Sequence, residues 1–149
     1  MTIRPARASD ARVLAQLSGQ LGYPTTTELA GARLAELLKR DDHAVLVADS
    51  SLGEVIGWVH VLRAFTLESG ASAELAGLVV AEGHRSQGTG QALMTAVCAW
   101  AEAKGLNRIR VWCNTIRVDA HRFYERLEFT RAKTQVVFTK PLGGPRASS

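Results

Sequence analysis

Apolar residues recur along this chain with two periods, and each change of period marks an element boundary. The opening "TIRPA" (2–6) reads as a short first strand. From Ser9 the apolar positions Val13, Leu14, Leu17 and Leu21 take helical spacing, with Ser9 or Asp10 as N-cap. "GYP" (22–24) breaks that helix. Thr25 and Glu28 then have capping-box spacing for a second helix, with Leu34, Leu37 and Leu38 facing inward and an end near 39–42. "HAVLVAD" (43–49) has the length and β-branching of a buried strand, "SSLGE" (50–54) turns it back, and "EVIGWVHVLRAF" (54–65) forms the second arm of a hairpin. "TLESGAS" (66–72) reads as a loop and "AELAGLVVA" (73–81) as the next strand. After a glycine-rich stretch comes a helix over 89–104, with Leu93, Ala96, Val97, Trp100 and Ala101 on one face and Lys104–Gly105 as its stop. "NRIRVWC" (107–113) is a strand. "DAHRFYERL" (119–127) is a helix, because Ala120, Phe123, Tyr124 and Leu127 follow i, i+3, i+4, i+7. "FTRAKTQVVFTK" (129–140) closes the chain as one or two strands.

This order, β-α-α-β-β-β-α-β-α-β, sets the class. The unit of strand 73–81, helix 89–104 and strand 108–113 is a right-handed crossover, so it is parallel. The hairpin before it is antiparallel. The expected fold is therefore α+β: a mixed, mostly antiparallel sheet with a central parallel β-α-β unit and about four flanking helices. A single domain spans 1–141, and 142–149 reads as a flexible tail.

Composition narrows the function classes. With 149 residues, 46% hydrophobic and 21% charged, the chain has the make-up of a soluble globular domain. No apolar run reaches the ~18 residues of a membrane span, and the N-terminus has no apolar signal core, so a cytoplasmic location is expected. Cys98 and Cys113, the two cysteines, lack metal-ligand spacing, and no metal is expected. The net charge is +4, carried by 18 basic residues against 14 acidic ones. Without a run of five like charges or a groove-reading motif, this balance suits a polyanionic small ligand better than nucleic acid.

The candidate chemistry sits in "EGHRSQGTGQALM" (82–94). As a phosphate-hydrolysing loop it fails: after Gly83 and Gly88 the Lys-Ser/Thr pair is replaced by Thr89-Gly90. As a dinucleotide fingerprint it also fails, because the third glycine position is Leu93. What survives is Arg85-x-x-Gly88-x-Gly90 between a strand and a helix N-terminus. Glycines admit close backbone approach, and first-turn amides point at an anion. Such a loop holds a pyrophosphate without cleaving it.

Together with its flanks this stretch resembles the GNAT superfamily of N-acetyltransferases. "LVVAEGHRSQGTGQALM" matches the family's R/Q-x-x-G-x-G/A loop, and "DAHRFYERLEF" resembles its A-x-x-F/L-Y-x-x-x-G-F helix. The resemblance implies acetyl-CoA as co-substrate, its pyrophosphate on the amides of Arg85, Ser86, Gln87, Gly88, Thr89 and Gly90. It also implies a pantetheine arm pairing with the backbone of Leu78, Val79 and Val80. The activity implied is acetyl transfer to a primary amine by direct attack in a ternary complex. Tyr124 is the implied acid at the departing sulfur. Glu74, the carboxylate inside its strand, is the candidate base, acting directly or through water. Strand alternation puts Glu74 on the face of Ala76, Leu78 and Val80 unless a bulge intervenes. Glu28, Glu68 and His60 are weaker candidates for the base, and Trp58 and His60 share a strand face.

Two positions depart from the family pattern. Arg117 stands where relatives carry an asparagine that contacts pantetheine, with Asn114 as the nearby substitute. Glu128 stands where relatives carry a cap glycine, which predicts either a strained Glu128 or a rearranged cap. The acceptor, a small-molecule or peptide amine, has no decodable motif, and neither does the oligomeric state, although many relatives form homodimers. The alternatives are a non-catalytic acyl-CoA-binding or partner-docking module and a basic nucleic-acid-binding domain around Arg108, Arg110, Arg117 and Arg122.

Overall fold

The structure is a computed structural model that describes residues 1–20, 22–85, 87–113 and 117–143. The chain divides into two compact units, Met1–Trp112 and Cys113–Ser149.

The first unit is built on a five-stranded sheet in the order β1-β2-β3-β4-β5. β1 is Thr2–Pro5, β2 His43–Asp49, β3 Val55–Thr66, β4 Gly70–Val80 and β5 Ile109–Val111. Neighbours pair antiparallel except β4 and β5, which run parallel as a crossover connection requires. The helices are α1 (Ala11–Gln20), α2 (Thr27–Leu38) and α3 (Thr89–Ala103). From Gly57 on, β3 alternates between the two faces. Ala6, Leu14 and Leu34 pack with Val45, Val47 and Trp58 on the α1/α2 face. On the other face, a Cβ added to Gly57 would meet Leu93 and Thr89 of α3 at 3.3 Å.

The α1/α2 face is tied at its edge by ions. Arg4 Nε donates to Asp49 Oδ2 at 2.7 Å, and its two terminal nitrogens donate to both oxygens of Asp10 at 2.9 and 3.0 Å. Asp10 is buried and also accepts from the Arg7 backbone N–H at 2.7 Å. Asp10 therefore clamps the chain before α1 and does not act as its N-cap; a short 3-10 turn (Ala8–Asp10) leads into the helix.

Several boundaries differ from the sequence expectation. The N-cap of α2 is Thr26, whose hydroxyl accepts from the Leu29 N–H at 3.0 Å; Thr25 is not the cap. Three successive threonines offer the same capping chemistry, and packing chooses among them. Leu38 is 45% exposed, since the buried stripe of α2 is carried by Leu34 and Leu37. The segment 66–72 is a hairpin and not a loop: Thr66 pairs with Gly70, which has a φ of 67°, and the Ser69 N–H donates to Thr66 Oγ1 at 3.0 Å.

In the second unit, α4 spans Val118–Arg126. It is capped as a Schellman-type end: the Phe129 N–H donates to the Tyr124 carbonyl at 3.0 Å, and Glu128, the following-turn residue, has a φ of 69°. The strained alternative for Glu128 is thus the one realised. Among the described residues, 129–143 form no strand, against expectation. The β-branched and aromatic residues of "TQVVF" supply strand propensity, but among the described residues no ladder partner engages them, and Val136, Val137 and Phe138 are 75–90% exposed.

Candidate active site

The centre of the site is an irregularity in the β3–β4 ladder. His60 pairs with Gly77, yet Val61 pairs with Leu75, so Ala76 is an extra residue on β4. The bulge inverts the side-chain phase. Glu74 pairs with Leu62, which lies two positions from His60 on β3, where that strand is regular. Glu74 thus shares the α1/α2 face with Trp58 and His60, and not the face of Leu78 and Val80 to which simple alternation assigned it. It is half-buried, and Ala76 is exposed.

The bulge also marks where the β4–β5 ladder ends among the described residues. β5 pairs with β4 only at Ala73, Glu74 and Leu75. Beyond it, β4 keeps β3 on one side and, among the described residues, has no ladder on the other. The Ala81 N–H donates to the Ile56 carbonyl at 2.8 Å, toward β3. Antiparallel alternation then turns the backbone groups of Val79 toward β3 and those of Leu78 and Val80 toward the open edge. Arg85 fits this orientation, because its Nε donates to the Val80 carbonyl at 3.3 Å.

After β4 a 3-10 turn (Glu82–His84) is pinned to α1, with the Glu82 N–H donating to Gln20 Oε1 at 3.1 Å. Gly88 takes the left-handed conformation, φ 83°, as N-cap of α3. Only glycine enters that conformation without steric cost. A Cβ at Gly83 or Gly88 would meet nothing within 4 Å, so both flank open space. Gln87 is exposed, Thr89 is buried, and Gly90 lies in the first turn of α3. Ser86 and Asn114, two of the expected coenzyme contacts, lie outside the described residues.

In the second unit, the Tyr124 ring is packed edge-on between Phe123 and Phe129, at centroid distances of 5.2 and 5.7 Å. Burial pushes its phenol up to about 12; Cys113 adds to the rise and Arg117 opposes it. Arg117 is exposed at the N-terminal end of α4.

A cavity of about 160 Å³ lies between α1, α2, β2 and β3 on the Glu74 face of the sheet, with Thr25, Arg33, Trp58 and His60 in its lining. Thr25 Oγ1 and Trp58 Nε1 are buried without a hydrogen-bond partner among the described residues. Burial, and secondarily the neighbouring His43, pull the His60 imidazole down to about 4, so it is neutral; its Nε2 lies 2.9 Å from His43 Nδ1. The Trp58 indole lies over Gly77, where an added Cβ would come within 2.9 Å of the ring. Thr25, Arg33 and Gly77 were not anticipated as site residues. An isolated glycine inside a strand pattern was the available signal for Gly77. Of the weaker base candidates, Glu28 and Glu68 are exposed in the first turn of α2 and the β3–β4 turn. Among the described residues, no cluster of three metal-ligating side chains forms, and no helix is long and apolar enough to cross a membrane.

Among the described residues, β4 thus runs past a bulge, beyond its ladder with β5, into a turn whose left-handed Gly88 opens α3. The sequence pattern of the acetyltransferase (GNAT) family matches residues 12–129, and the chain belongs to that family as an N-acetyltransferase. It is 28% identical over 145 residues to an aminoglycoside N(6')-acetyltransferase type 1 of Stenotrophomonas maltophilia, covering 95% of this chain and 94% of that protein. Its fold is that of the aminoglycoside 6'-N-acetyltransferase AAC(6')-IG of Acinetobacter haemolyticus (TM-score 0.84, 20% identity, 96% and 100% of the two chains). The fold also matches AAC(6')-Iy in complex with the bisubstrate analogue CoA-S-monomethyl-acetylneamine (TM-score 0.84, 20% identity, 95% and 98% covered).

Proposed function

We propose that this protein moves an acetyl group from acetyl-CoA to a primary amine of a small molecule, by direct attack within a ternary complex. The observation that carries the reading is the edge of β4 at Leu78 and Val80, which has no ladder partner among the described residues and runs into the left-handed Gly88 at the start of α3. These residues fit the coenzyme. The open strand edge offers alternating donors and acceptors to an extended amide-bearing arm. The first-turn amides of α3, the open space at Gly83 and Gly88, and the Arg85 charge suit a pyrophosphate. When bound, acetyl-CoA supplies the activated acetyl thioester.

The chain's own residues then have three tasks. The backbone of Leu78 to Val80 and of Arg85 to Gly90 orients the donor. Glu74 is the proposed base, directly or through water, because the bulge turns it to the face that carries the acceptor cavity. Tyr124 is the proposed acid at the departing sulfur. With its phenol held near 12, Tyr124 keeps its proton at every working pH. Full transfer to a thiolate of pKa about 8.5 runs uphill, so Tyr124 acts mainly as a hydrogen-bond donor to the developing charge. The named relatives act on aminoglycosides, which supports a small-molecule amine as acceptor.

Release of free thiol from acetyl-CoA, followed over a panel of amines, tests the reading. Turnover with at least one small primary amine is expected. Tyr124→Phe should lower kcat by about 10²-fold, the lower range for removing one hydrogen-bond donor to developing charge, with the KM for acetyl-CoA within about threefold. Acetyl-CoA binding with no turnover on any amine would leave only a binding module.

A further inference from the structure

The cavity on the Glu74 face has a chemistry that selects among amines. Its volume of about 160 Å³ is that of a pocket that holds a benzene-sized group. Leu34, Leu37, Val45 and Trp58 supply an apolar wall, and among the described residues no aspartate or glutamate lines it. Among the described residues its cationic side chain is Arg33, exposed at the rim and without an ion pair or hydrogen bond. His60, also in the lining, is neutral. An acceptor bearing several ammonium groups would shed water there against a wall without counter-charge and beside a like charge. An amine with an apolar body loses nothing on entering, and an anionic group beside it answers Arg33.

We infer that the acceptor is a small amphipathic amine, with an apolar group of ring or branched-alkyl size in this cavity and a carboxylate at Arg33: the chemistry of an apolar amino acid. The inference rests on the acetyl-transfer reading and specifies its acceptor. It departs from the polycationic substrates of the named relatives. Glu74, paired across the ladder with Leu62 and so on the same sheet face as His60, lies on the side from which the amine of such a molecule would be deprotonated.

The test uses four acceptors with the full chain: phenylalanine, leucine, phenethylamine and neamine. Binding of each is measured calorimetrically in the presence of coenzyme A, and kcat/KM is measured by thiol release. Phenylalanine should exceed phenethylamine by about tenfold, the effect of one charge-assisted hydrogen bond, and neamine should be poorest. Arg33→Ala should erase that advantage by raising the KM for phenylalanine about tenfold, with phenethylamine within about threefold. Ala30→Leu, which fills the cavity from α2, should weaken phenylalanine and phenethylamine alike. Neamine as best acceptor, an Arg33→Ala variant unchanged toward phenylalanine, or no binding by any of the apolar amines would overturn the inference. Acetyl-CoA titrated alone separates the two readings. Failure to bind it sinks the acetyl-transfer proposal, whereas binding combined with a neamine preference sinks only the acceptor class.

Discussion

Glu128→Gly should make the protein more stable. Glu128 ends α4 with a φ of 69° and is the one non-glycine residue with positive φ among those described. A Cβ in the left-handed region crowds the following carbonyl and costs roughly 1–2 kcal/mol. The side chain returns nothing, since it is exposed and makes no ion pair among the described residues. Glycine removes the crowding but loosens the unfolded chain, at a cost of about 0.4–1 kcal/mol. The net gain is about 0.5–1 kcal/mol, or roughly 1–4 °C in Tm for a chain of this size. The two cap hydrogen bonds, from the Glu128 N–H to the Glu125 carbonyl and from the Phe129 N–H to the Tyr124 carbonyl, are backbone bonds and survive. Glu128→Ala is the control: it deletes the carboxylate, keeps the Cβ, and should gain nothing. Thermal and urea denaturation of the three proteins decide the matter. A Glu128→Gly variant that is less stable than the parent, or a Glu128→Ala variant that gains as much, would refute the strain argument.

Two further perturbations follow from buried charge. Arg4→Met leaves the Asp10 and Asp49 carboxylates facing each other without their cation, and urea denaturation at neutral pH should show a loss of about 3 kcal/mol or more. The Arg4 hydrogen bonds hold Asp10 below the ordinary carboxylate range, so this stabilisation is full above the unfolded value of about 3.8 and is lost as pH falls through the lower folded value. His60 titrates near 4 in the folded chain against 6.5 unfolded, so the unfolded state binds the extra proton between these values. Stability should therefore fall from pH 6.5 toward 4 with a slope below one proton, and His60→Asn should flatten that slope in denaturation series across the same range.

The sequence carried most of the frame because the frame depends on local patterns. The β2–β3 hairpin follows from β-branched runs around a turn, and α3 from its apolar stripe and Gly105 stop. The Arg85-x-x-Gly88-x-Gly90 pattern marked the turn into α3, and the left-handed conformation of Gly88 came with the structure. Family resemblance added the acetyl donor. The face of Glu74 was hidden, because one extra residue inverts every side chain beyond it and a bulge leaves only Gly77 as a trace in the letters. Thr26 and not Thr25 caps α2 because three equal hydroxyl acceptors in a row leave the choice to packing. The cavity was equally illegible, since it forms where α1 and α2 meet the sheet and its members are far apart in the chain. Arg33 reads as an ordinary helix-surface cation until Val45, Trp58 and His60 are brought beneath it.

The central claim is that the open edge of β4 and the Gly88 turn read acetyl-CoA through the backbone. Amide hydrogen exchange measured with and without saturating acetyl-CoA tests it directly. Slowed exchange should appear at Leu78 and Val80 and at Gln87 to Gly90, the groups turned to the open edge and the first turn of α3, with Val79 little changed because it already bonds to β3. Coenzyme binding that leaves those amides unprotected, or that protects another strand edge instead, would contradict the account.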